Sequence, residues 1–287
     1  KNVNVLGKLS VNEKEDYLNL QNVSAELGTN TLGGHCLITN LNDPYINLNI
    51  NVSAKLEEVN NFWPMDTLQY VSGSVELNAN LKGNFKEIKQ SAFSPNVSAE
   101  GSATLKEIKT KFRGKENEIN IGEGTFVLKD RNVTVNNFKL VIGSSDVELN
   151  GQLPGFLNYL FDPQQPLVIK AGLKSNKLVL EDILYGNNNS GSEKVNIPAN
   201  LNFDLNAGIN NFSFAKFEAQ NVLGDISIHH QKIVAQNISL ITMEGKANVN
   251  AIADASGENI VIKAEADFQN INISKLFLQC NNFGQNT

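Results

Sequence analysis

The sequence predicts a mostly β protein, in the form of an elongated, curled antiparallel sheet built from repeated β modules with a few short helices. Three observations predict this class. Apolar and polar residues alternate along many segments, as in YINLNINVSAKL (45–56), and a period of two is the pattern of a strand with one apolar face. Gly and Asn separate these segments, whereas helix-forming runs are sparse. The third observation is that whole segments recur along the chain.

The recurring segments define the modules. GTFVLKDRNVTVNNFKLVIGSSDVELNG, from Gly124, aligns without gaps with GDISIHHQKIVAQNISLITMEGKANVNA, from Gly224. Downstream, LVIKAGLKSNKLVLEDIL aligns with IVIKAEADFQNINISKLF, with seven more residues in the earlier copy. A third copy begins with NVLGKLSV, from Asn4, and includes QNVS, which corresponds to QNIS from Gln236. We predict repeats over about 4–59, 121–184 and 221–277, a longer strand run over 62–120, and a single elongated region that covers 1–287.

Short apolar helices are predicted where the modules end or are interrupted. LEDILY and SKLFLQC follow the last strand in two of the copies. The extra residues of the earlier copy fall in the stretch that contains PGFLNYLF, where the other copy has only a DASGEN loop. The apolar spacing of PGFLNYLF indicates a helix, and we predict that this plug helix packs over the sheet and closes or gates its apolar face. The plug residues are Phe156, Leu157, Leu160 and Phe161.

One face of the predicted sheet is apolar and needs a cover, because exposed apolar patches beyond a few hundred Å² mark binding surfaces. A second sheet, curling of the same sheet, a helix and a lipid are the candidate covers. Long amphipathic helices are not predicted, and with 1 Trp and 5 Tyr the aromatic girdles of a membrane barrel are not expected. A curled, partly open sheet predicts a groove for acyl chains, whereas in a closed sandwich the same residues would fill the core. The candidate groove residues are Ile46, Leu48, Ile50, Val52, Leu56, Val75, Leu77 and Leu81.

Composition and side-chain chemistry argue against nucleic acid as a partner and against catalysis. The net charge is −6 and the Lys residues are scattered among Glu, whereas a nucleic-acid binder usually has a basic patch. His229 and His230 are adjacent, so on a strand their side chains point to opposite faces. His35, beside Cys36, lacks the further ligands of a zinc site. We therefore predict no catalytic residue, no metal site and no cofactor.

Two acidic pairs and one aromatic segment remain as candidates for chemistry. Glu57–Glu58 and Glu181–Asp182 are candidate acid/base pairs, but their places at strand or helix ends favour solvated charge or helix caps. FWPMD (62–66) is a candidate sugar-stacking site, although a corner of the core or a lid over the groove end is favoured.

The chain has no apolar run near the ~20 residues that a membrane helix needs, and no signal peptide at its start. Because Lys1 is followed at once by strand-like NVNVLG, we interpret the chain as a piece of a longer protein with an anchoring segment upstream. GNNNSGSEK (186–194) is predicted to be an exposed loop. Cys36 and Cys280 are interpreted as free thiols rather than as a disulfide, since their spacing is not that of a redox pair.

Four segments resemble, in this order, the periplasmic part of AsmA-like proteins, in particular the versions found in Bacteroidetes-type bacteria. They are GSSDVELNGQLPGFLNYLF, LKSNKLVLEDIL, MEGKANVNAIAD and LFLQCNNFGQ. The first is similar to the family's strand-then-helix element, the second to its S-x-x-L-x-L-x-x-L-L segment and the third to its return strand. The last resembles its LF…F-NFGQ segment, with Cys280-Asn281 in place of an aromatic residue. The resemblance covers most of the chain from about Leu27 onward.

The resemblance implies an N-terminal inner-membrane helix, a long β-rich periplasmic part and a link to outer-membrane assembly. It also implies a curled sheet of the kind thought to bridge two membranes and conduct phospholipids, and it offers no catalytic motif. We therefore expect a non-enzymatic periplasmic protein, anchored to the inner membrane, that carries the acyl chains of phospholipids along an apolar groove, with other envelope proteins as candidate partners. Two alternatives stay open: a surface adhesin or glycan-binding β protein, and a ligand-free scaffold for outer-membrane assembly.

Overall fold

A computed structural model describes residues 2–12, 15–90, 96–129, 132–162, 164–184, 199–257 and 261–284. The predicted fold class is confirmed, because most of these residues lie in strands and the helices are few and short. The strands are β1 (Asn2–Ser10), β2 (Tyr17–Leu27), β3 (Asn30–Thr39), β4 (Tyr45–Lys55), β5 (Leu68–Asn84), β6 (Ser98–Phe112), β7 (Glu118–Lys129), β8 (Asn132–Ile142), β9 (Ser145–Leu153), β10 (Leu167–Val179), β11 (Leu201–Phe214), β12 (Phe217–His229), β13 (Lys232–Thr242), β14 (Gly245–Asp254) and β15 (Val261–Gln269). The helices are α1 (Leu56–Phe62), α2 (Phe85–Gln90), α3 (Phe156–Phe161), α4 (Leu180–Leu184) and α5 (Ile273–Gln279), and a 3-10 turn follows at Asn281–Gly284.

The strands form one 15-stranded sheet in which each strand is hydrogen-bonded to its neighbours in sequence. The successive pairs from β1 to β5 and from β11 to β15 are antiparallel. The order begins at β1 and ends at β15, so these two strands are the edges of the sheet in the described part of the chain.

The predicted repeats correspond to modules of four strands followed by a short helix. They are β1–β4 with α1, β7–β10 with α4, and β12–β15 with α5. The helices predicted in LEDILY and SKLFLQC are α4 and α5, and the plug helix predicted in PGFLNYLF is α3. Helix α3 lies between β9 and β10, whereas no helix is described between β14 and β15, the corresponding strands of the last module.

Two elements differ from the sequence prediction. Leu56 was expected in a strand, but it begins helix α1, where Val59 follows it at helical spacing. The strand run predicted over 62–120 contains helix α2. The side chain of Asn84 accepts a hydrogen bond from the Lys86 amide at 2.9 Å and so caps the start of α2. The loop predicted at 186–194 lies outside the described residues.

The contacts divide the chain into two compact units, each built from three stretches. Unit 1 consists of Lys1–Thr110, Ile121–Phe138 and Gln152–Leu167. Unit 2 consists of Lys111–Asn120, Lys139–Gly151 and Val168–Thr287.

In unit 1 the register of the strands places apolar side chains on one face and polar side chains on the other. Leu48 of β4 lies opposite Cys36 of β3 on one side and opposite Leu81 of β5 on the other. On the polar face Asn49 lies opposite Asn80, and its side-chain amide donates to the Asn80 Oδ1 at 2.7 Å. The sheet of unit 1 therefore has the apolar face and the polar face that the alternating sequence predicts.

The two units bury their apolar residues in different ways. In unit 2 one buried cluster joins β9 to β14; its members are Val147, Leu178, Ala207, Ile209, Ala219, Val222, Ile238, Leu240 and Ala247. In unit 1 the buried apolar residues are Val71, Ile88, Val97, Ala99, Ile108, Val133, Val135, Leu153 and Leu157. None of the described apolar residues before Val71 is buried, so the apolar face of β1–β4 stays partly open to solvent.

Candidate functional site

An apolar cavity of about 460 Å³ lies in unit 1, between helix α3 and the apolar face of the sheet. Strands β4 to β8 supply most of its wall, and the surface that it exposes is apolar. Its lining residues are Leu48, Leu77, Asn78, Ala79, Asn80, Leu81, Ala99, Gly101, Ser102, Ala103, Phe126, Leu128, Val133, Phe156, Leu157 and Leu160. A volume of this size falls within the range of sites for small organic ligands.

The cavity exists because small side chains stand beside large ones in neighbouring strands. Ala99, Gly101 and Ala103 alternate along β6, so their side chains share one face of the strand. A Cβ atom added at Gly101 would come within 2.5 Å of the Asn78 carbonyl oxygen, so the two strands approach too closely there for any larger residue. The alanines and this glycine leave a depression that leucines and a phenylalanine surround.

Helix α3 covers this depression with side chains of very different exposure. Leu157 is 5% exposed and anchors the helix, whereas Leu160 is 56% exposed although it lines the cavity. Leu160 therefore stands at the mouth of the cavity. Helix α3 also contacts helix α2, whose Ile88 is fully buried.

The structure brings six of the predicted site residues together around this cavity. They are Leu48, Leu77 and Leu81 of the candidate groove, and Phe156, Leu157 and Leu160 of the plug helix. Phe161 is the last residue of α3, and its side chain lies outside the described part of the structure.

The other candidate groove residues lie beside the cavity rather than in its wall. Ile50 lies opposite Ala79, and Val52 lies opposite Leu77, so both share the face of cavity residues. Ile46 and Val75 follow the same alternation on β4 and β5. Leu56 belongs to α1. All eight candidates are half-buried, whereas residues of a closed core would be buried.

The apolar face continues from the cavity across the strands toward β2. Leu20 lies opposite Cys36, and Cys36 lies opposite the cavity residue Leu48. Partial burial on this face raises the pKa of the Cys36 thiol, because the thiolate is poorly solvated there. Cys36 is a free thiol, as predicted, and so is Cys280.

Sequence reasoning missed the wall supplied by β7 and β8. Phe126 and Leu128 lie two residues apart on β7 and so share one face, which was a usable signal, but nothing in the sequence pairs that strand with Leu77 or Leu81. Ala99, Gly101 and Ala103 form the floor of the cavity and occur in the segment SAEGSATL of β6. Their role depends on which large residues lie beside them.

The histidines lie apart from this cavity. His229 Nε2 and Asp204 Oδ1 are 2.7 Å apart in unit 2, with the two side chains 42% and 40% exposed. His230 lies in the following turn, and His35 lies opposite Asn49 on the polar face. Within the described residues no group of three or more His, Cys, Asp and Glu side chains is arranged to hold a metal ion.

The acidic pairs bind backbone and side-chain donors at the starts of their helices. Glu58 of α1 accepts hydrogen bonds from the Thr29 hydroxyl at 3.1 Å and from the Asn30 side chain at 3.0 Å, in the turn between β2 and β3. Glu57 accepts from the Gly73 amide at 3.1 Å. Glu181 accepts a hydrogen bond from the Ala215 amide. These contacts give the pairs a structural role in holding helices against turns and strands.

Asp182 is the most extensively hydrogen-bonded of these carboxylates. One of its oxygens accepts from the Ser144 amide at 2.8 Å, and from the hydroxyls of Ser144 and Ser145 at 3.0 Å each. Asn117 donates to the other oxygen at 3.4 Å. Partial burial acts to raise the pKa of Asp182, but the hydrogen bonds to the charged form outweigh it, and the net effect lowers the pKa.

The aromatic segment FWPMD is not a corner of the core. Trp63 is 81% exposed and Phe62 is 49% exposed. Because both side chains are exposed, the favoured interpretation as a core corner is wrong. Neither residue lines the cavity under α3.

Comparisons with known proteins identify no relative of this chain. No protein-family model matches the chain, and neither the curated proteins nor the solved structures contain a significant match. In the part of the chain that the structure describes, no helix combines the length and the apolar character needed to cross a membrane.

Proposed function

We propose that this protein is a non-enzymatic component of the bacterial envelope that binds the acyl chains of phospholipids on its apolar sheet face and passes them along that face. The observation that carries the proposal is the apolar cavity under α3, which lies beside the half-buried apolar face of β2–β5.

The driving force for such binding is the removal of apolar surface from water. At about 0.8 kcal/mol per buried CH₂, ten methylenes contribute roughly 8 kcal/mol before the entropic cost of association is subtracted. The polar face, with its Asn49–Asn80 hydrogen bond, stays in water while the chain lies on the other face. No catalytic residue is needed for this process, because a chain can slide along a uniform apolar surface without breaking a directional bond.

The proposed location is the periplasm, with the full-length protein anchored to the inner membrane. The resemblance of four segments to AsmA-like proteins supports this location and a role in outer-membrane assembly. The partially open face of β1–β4 supports a surface that exchanges ligands more than it supports a closed core.

The first test fills the floor of the cavity. Ala103→Leu puts a larger side chain into the space, so we expect it to weaken binding of a fluorescent single-chain probe, dansylaminoundecanoic acid, at least ten-fold. Ala264→Leu is the matched control: Ala264 is exposed on β15 in unit 2 and does not line the cavity. Titration of probe fluorescence measures both affinities, and circular dichroism checks that each variant is folded.

The outcomes separate the proposal from its alternatives. Equal affinities for both variants would show that the cavity is not the binding site. A wild-type chain that neither binds the probe nor carries lipid in native mass spectrometry after gentle purification would contradict acyl-chain binding itself, and would leave a ligand-free scaffold.

Glycan binding by a surface adhesin is the second candidate, and the exposure of Trp63 favours it, because an exposed indole ring is available for stacking on a sugar. Glycan-array binding that is present in the wild type and lost in Trp63→Ala would support this candidate. Acyl-probe affinity should be unchanged in the same variant, because Trp63 does not line the cavity.

A further inference from the structure

We propose that helix α3 is a specificity element that limits the cavity to one acyl chain of bounded length. This inference rests on the proposed acyl-chain binding, since α3 can limit only a site that takes such chains. It concerns how many chains, and of what length, the site accepts.

The volume of the cavity under α3 sets how many acyl chains it can hold. The cavity measures about 460 Å³. At roughly 30 Å³ per heavy atom, the space that a water molecule takes in the liquid, such a volume holds on the order of 15 atoms. One acyl chain of about that many carbons fills the space, and a second chain beside it has no room.

Helix α3 is present in the middle module but has no counterpart among the described residues of the last module. The strands of the middle module continue past it in the same order as those of the last module, where DASGEN stands in place of PGFLNYLFDPQQP. Helix α3 is therefore an addition to the module and is not needed to connect its strands. Yet Phe156, Leu157 and Leu160 form one wall of the cavity, so the addition defines where the cavity ends.

Helix α3 is attached to the rest of the protein mainly through side-chain packing. The residue that precedes the helix, Gly155, has φ of 70°, and no side chain caps the helix there. A helix of six residues has little stability of its own. Its position depends on buried Leu157 and on the contact with α2. Helix α3, which bounds the cavity, can therefore be removed or trimmed without breaking the strand pairing.

The charged head group attached to an acyl chain should stay outside the cavity. The surface exposed inside the cavity is apolar, so nothing inside it binds a charged group. A carboxylate or phosphate attached to the chain stays at the mouth, near Leu160. A free fatty acid and one chain of a lysophospholipid are thus two sources of the same ligand chemistry.

The experiment replaces the added segment with the chain's own shorter loop. Residues 154–166 are exchanged for DASGEN, and dissociation constants are measured for fatty acids of increasing length, with native mass spectrometry to count bound chains. For the wild type we expect one bound chain and an affinity that stops rising beyond about 16 carbons. For the exchanged protein we expect the affinity to keep rising, with at least a five-fold gain for a 20-carbon over a 16-carbon chain.

A second variant keeps the inference testable if the exchanged protein does not fold. Leu160→Ala trims the mouth, and because Leu160 is 56% exposed the change should not unfold the protein. We expect it to move the length limit upward by one or two carbons. Leu223→Ala is the matched control, since Leu223 is also 56% exposed but lies in unit 2.

The outcomes distinguish this inference from the function on which it rests. If the wild type binds no chain of any length, acyl-chain binding fails and the inference fails with it. If the wild type binds chains but shows the same length profile as the exchanged protein and Leu160→Ala, only the inference fails. Loss of binding at every length in an exchanged protein that circular dichroism shows to be folded also overturns it, because α3 would then supply affinity and not a limit. Palmitate and a 16-carbon lysophospholipid should bind within about three-fold of each other; a larger difference would contradict a site that excludes the head group.

Discussion

At the residue scale, the same contact closes each module. The third residue of the closing helix reaches the turn between the second and third strands of its own module. Glu58 does so in the first module and Asp182 in the second, and both accept hydrogen bonds there. In the last module the carboxylate lies in the turn instead: Lys275 on the helix forms an ion pair at 2.8 Å with Glu244 in the turn. We call this the helix–turn contact.

The helix–turn contact of Asp182 should make stability depend on pH. The hydrogen bonds lower the pKa of Asp182 in the folded state, so the folded protein binds this proton less readily than the unfolded chain does. Its contribution to the free energy of unfolding is therefore complete above about pH 4 and is lost as the pH falls through the lowered pKa. We expect Asp182→Asn to reduce the free energy of unfolding by about 1 kcal/mol at pH 7, a value discounted for solvent exposure.

Urea unfolding between pH 7 and pH 2 measures this difference, and the amide resonance of Ser144, which donates to Asp182, should titrate with it. Asp267→Asn, at an exposed site on β15, is the control and should change the free energy by less than about 0.5 kcal/mol. A difference for Asp182→Asn that stays constant down to pH 2 would contradict the assignment.

Sequence reasoning placed the acidic pairs at strand or helix ends but could not identify their partners. Glu58 and Thr29 are 29 residues apart, and Asp182 and Ser144 are 38 apart. Such pairings follow from the antiparallel register, which brings the turn of one hairpin beside the end of a later strand. Residue type alone therefore could not distinguish a structural carboxylate from a catalytic one.

At the scale of single elements, the few identities shared by the modules mark an irregularity in strand pairing. The register between β13 and β14 shifts between Ala235 and Ile238, so Gln236 and Asn237 together lie opposite Asn250. Asn237 has φ of 52°, and Asn137, its counterpart in the middle module, has φ of 51°. Asn tolerates this left-handed conformation better than most residues. The conformation at this bulge explains the Asn137/Asn237 identity.

The glycine shared by the modules faces the same irregularity. A Cβ atom at Gly224 would come within 2.9 Å of the Asn237 carbonyl oxygen and of the Ile238 Cα. Gly124 has the corresponding neighbour, because a Cβ there would come within 2.7 Å of the Phe138 ring. Both glycines are therefore retained because the next strand lies too close for a side chain.

We expect Gly224→Ala to lower the free energy of unfolding by about 1 to 3 kcal/mol, since backbone atoms must move to relieve the overlap. Thermal unfolding measures the change. Gly172→Ala is the matched strand control, because the nearest atom to its new Cβ would be the Asn150 carbonyl oxygen at 3.9 Å. Equal stabilities for the two variants would show that β13 can move aside at no cost.

Sequence periodicity predicted the strands and the short helices α3, α4 and α5 well, because each has a local apolar pattern. It missed α1, whose first residue Leu56 was expected in a strand, and it missed α2, where FKEIKQ offers only Phe85 and Ile88 on one face. It also missed the cavity floor. That floor is a relation between Ala99 of β6 and large residues on strands far away in sequence, and no local pattern encodes it.

At the scale of the whole molecule, the outermost described strands, β1 and β15, both carry exposed apolar side chains. Along β1, Val3 is 71%, Val5 57% and Leu9 66% exposed, and every described residue of β15 is exposed. An exposed apolar edge is a template for pairing with another chain. We therefore expect concentration-dependent self-association of the isolated chain.

Val5→Lys should reduce this self-association, because a charge pointing into the apolar face opposes edge-to-edge pairing. The free energy of unfolding should change by less than about 0.5 kcal/mol, since Val5 is already exposed. Sedimentation velocity over a concentration series measures the effect. Asn4→Lys adds the same charge to the same strand on the other face; an equal effect of that variant would assign the change to net charge.

The modular plan was the part of the whole molecule most accessible from sequence, because repeated patterns report repeated structure. The occupant of the apolar face was not accessible in the same way. Half-buried Leu48 and a buried core leucine have the same alternation in sequence, and only the positions of neighbouring elements distinguish them.

The helix–turn contact has a consequence for how such a chain evolves. Both partners of the contact belong to one module, so a gene duplication that copies the module also copies both residues of the contact. The array can then lengthen by four strands without a matching change elsewhere in the gene. In the last module the contact is the ion pair between Glu244 and Lys275, which stands in place of the hydrogen bonds of the other two modules.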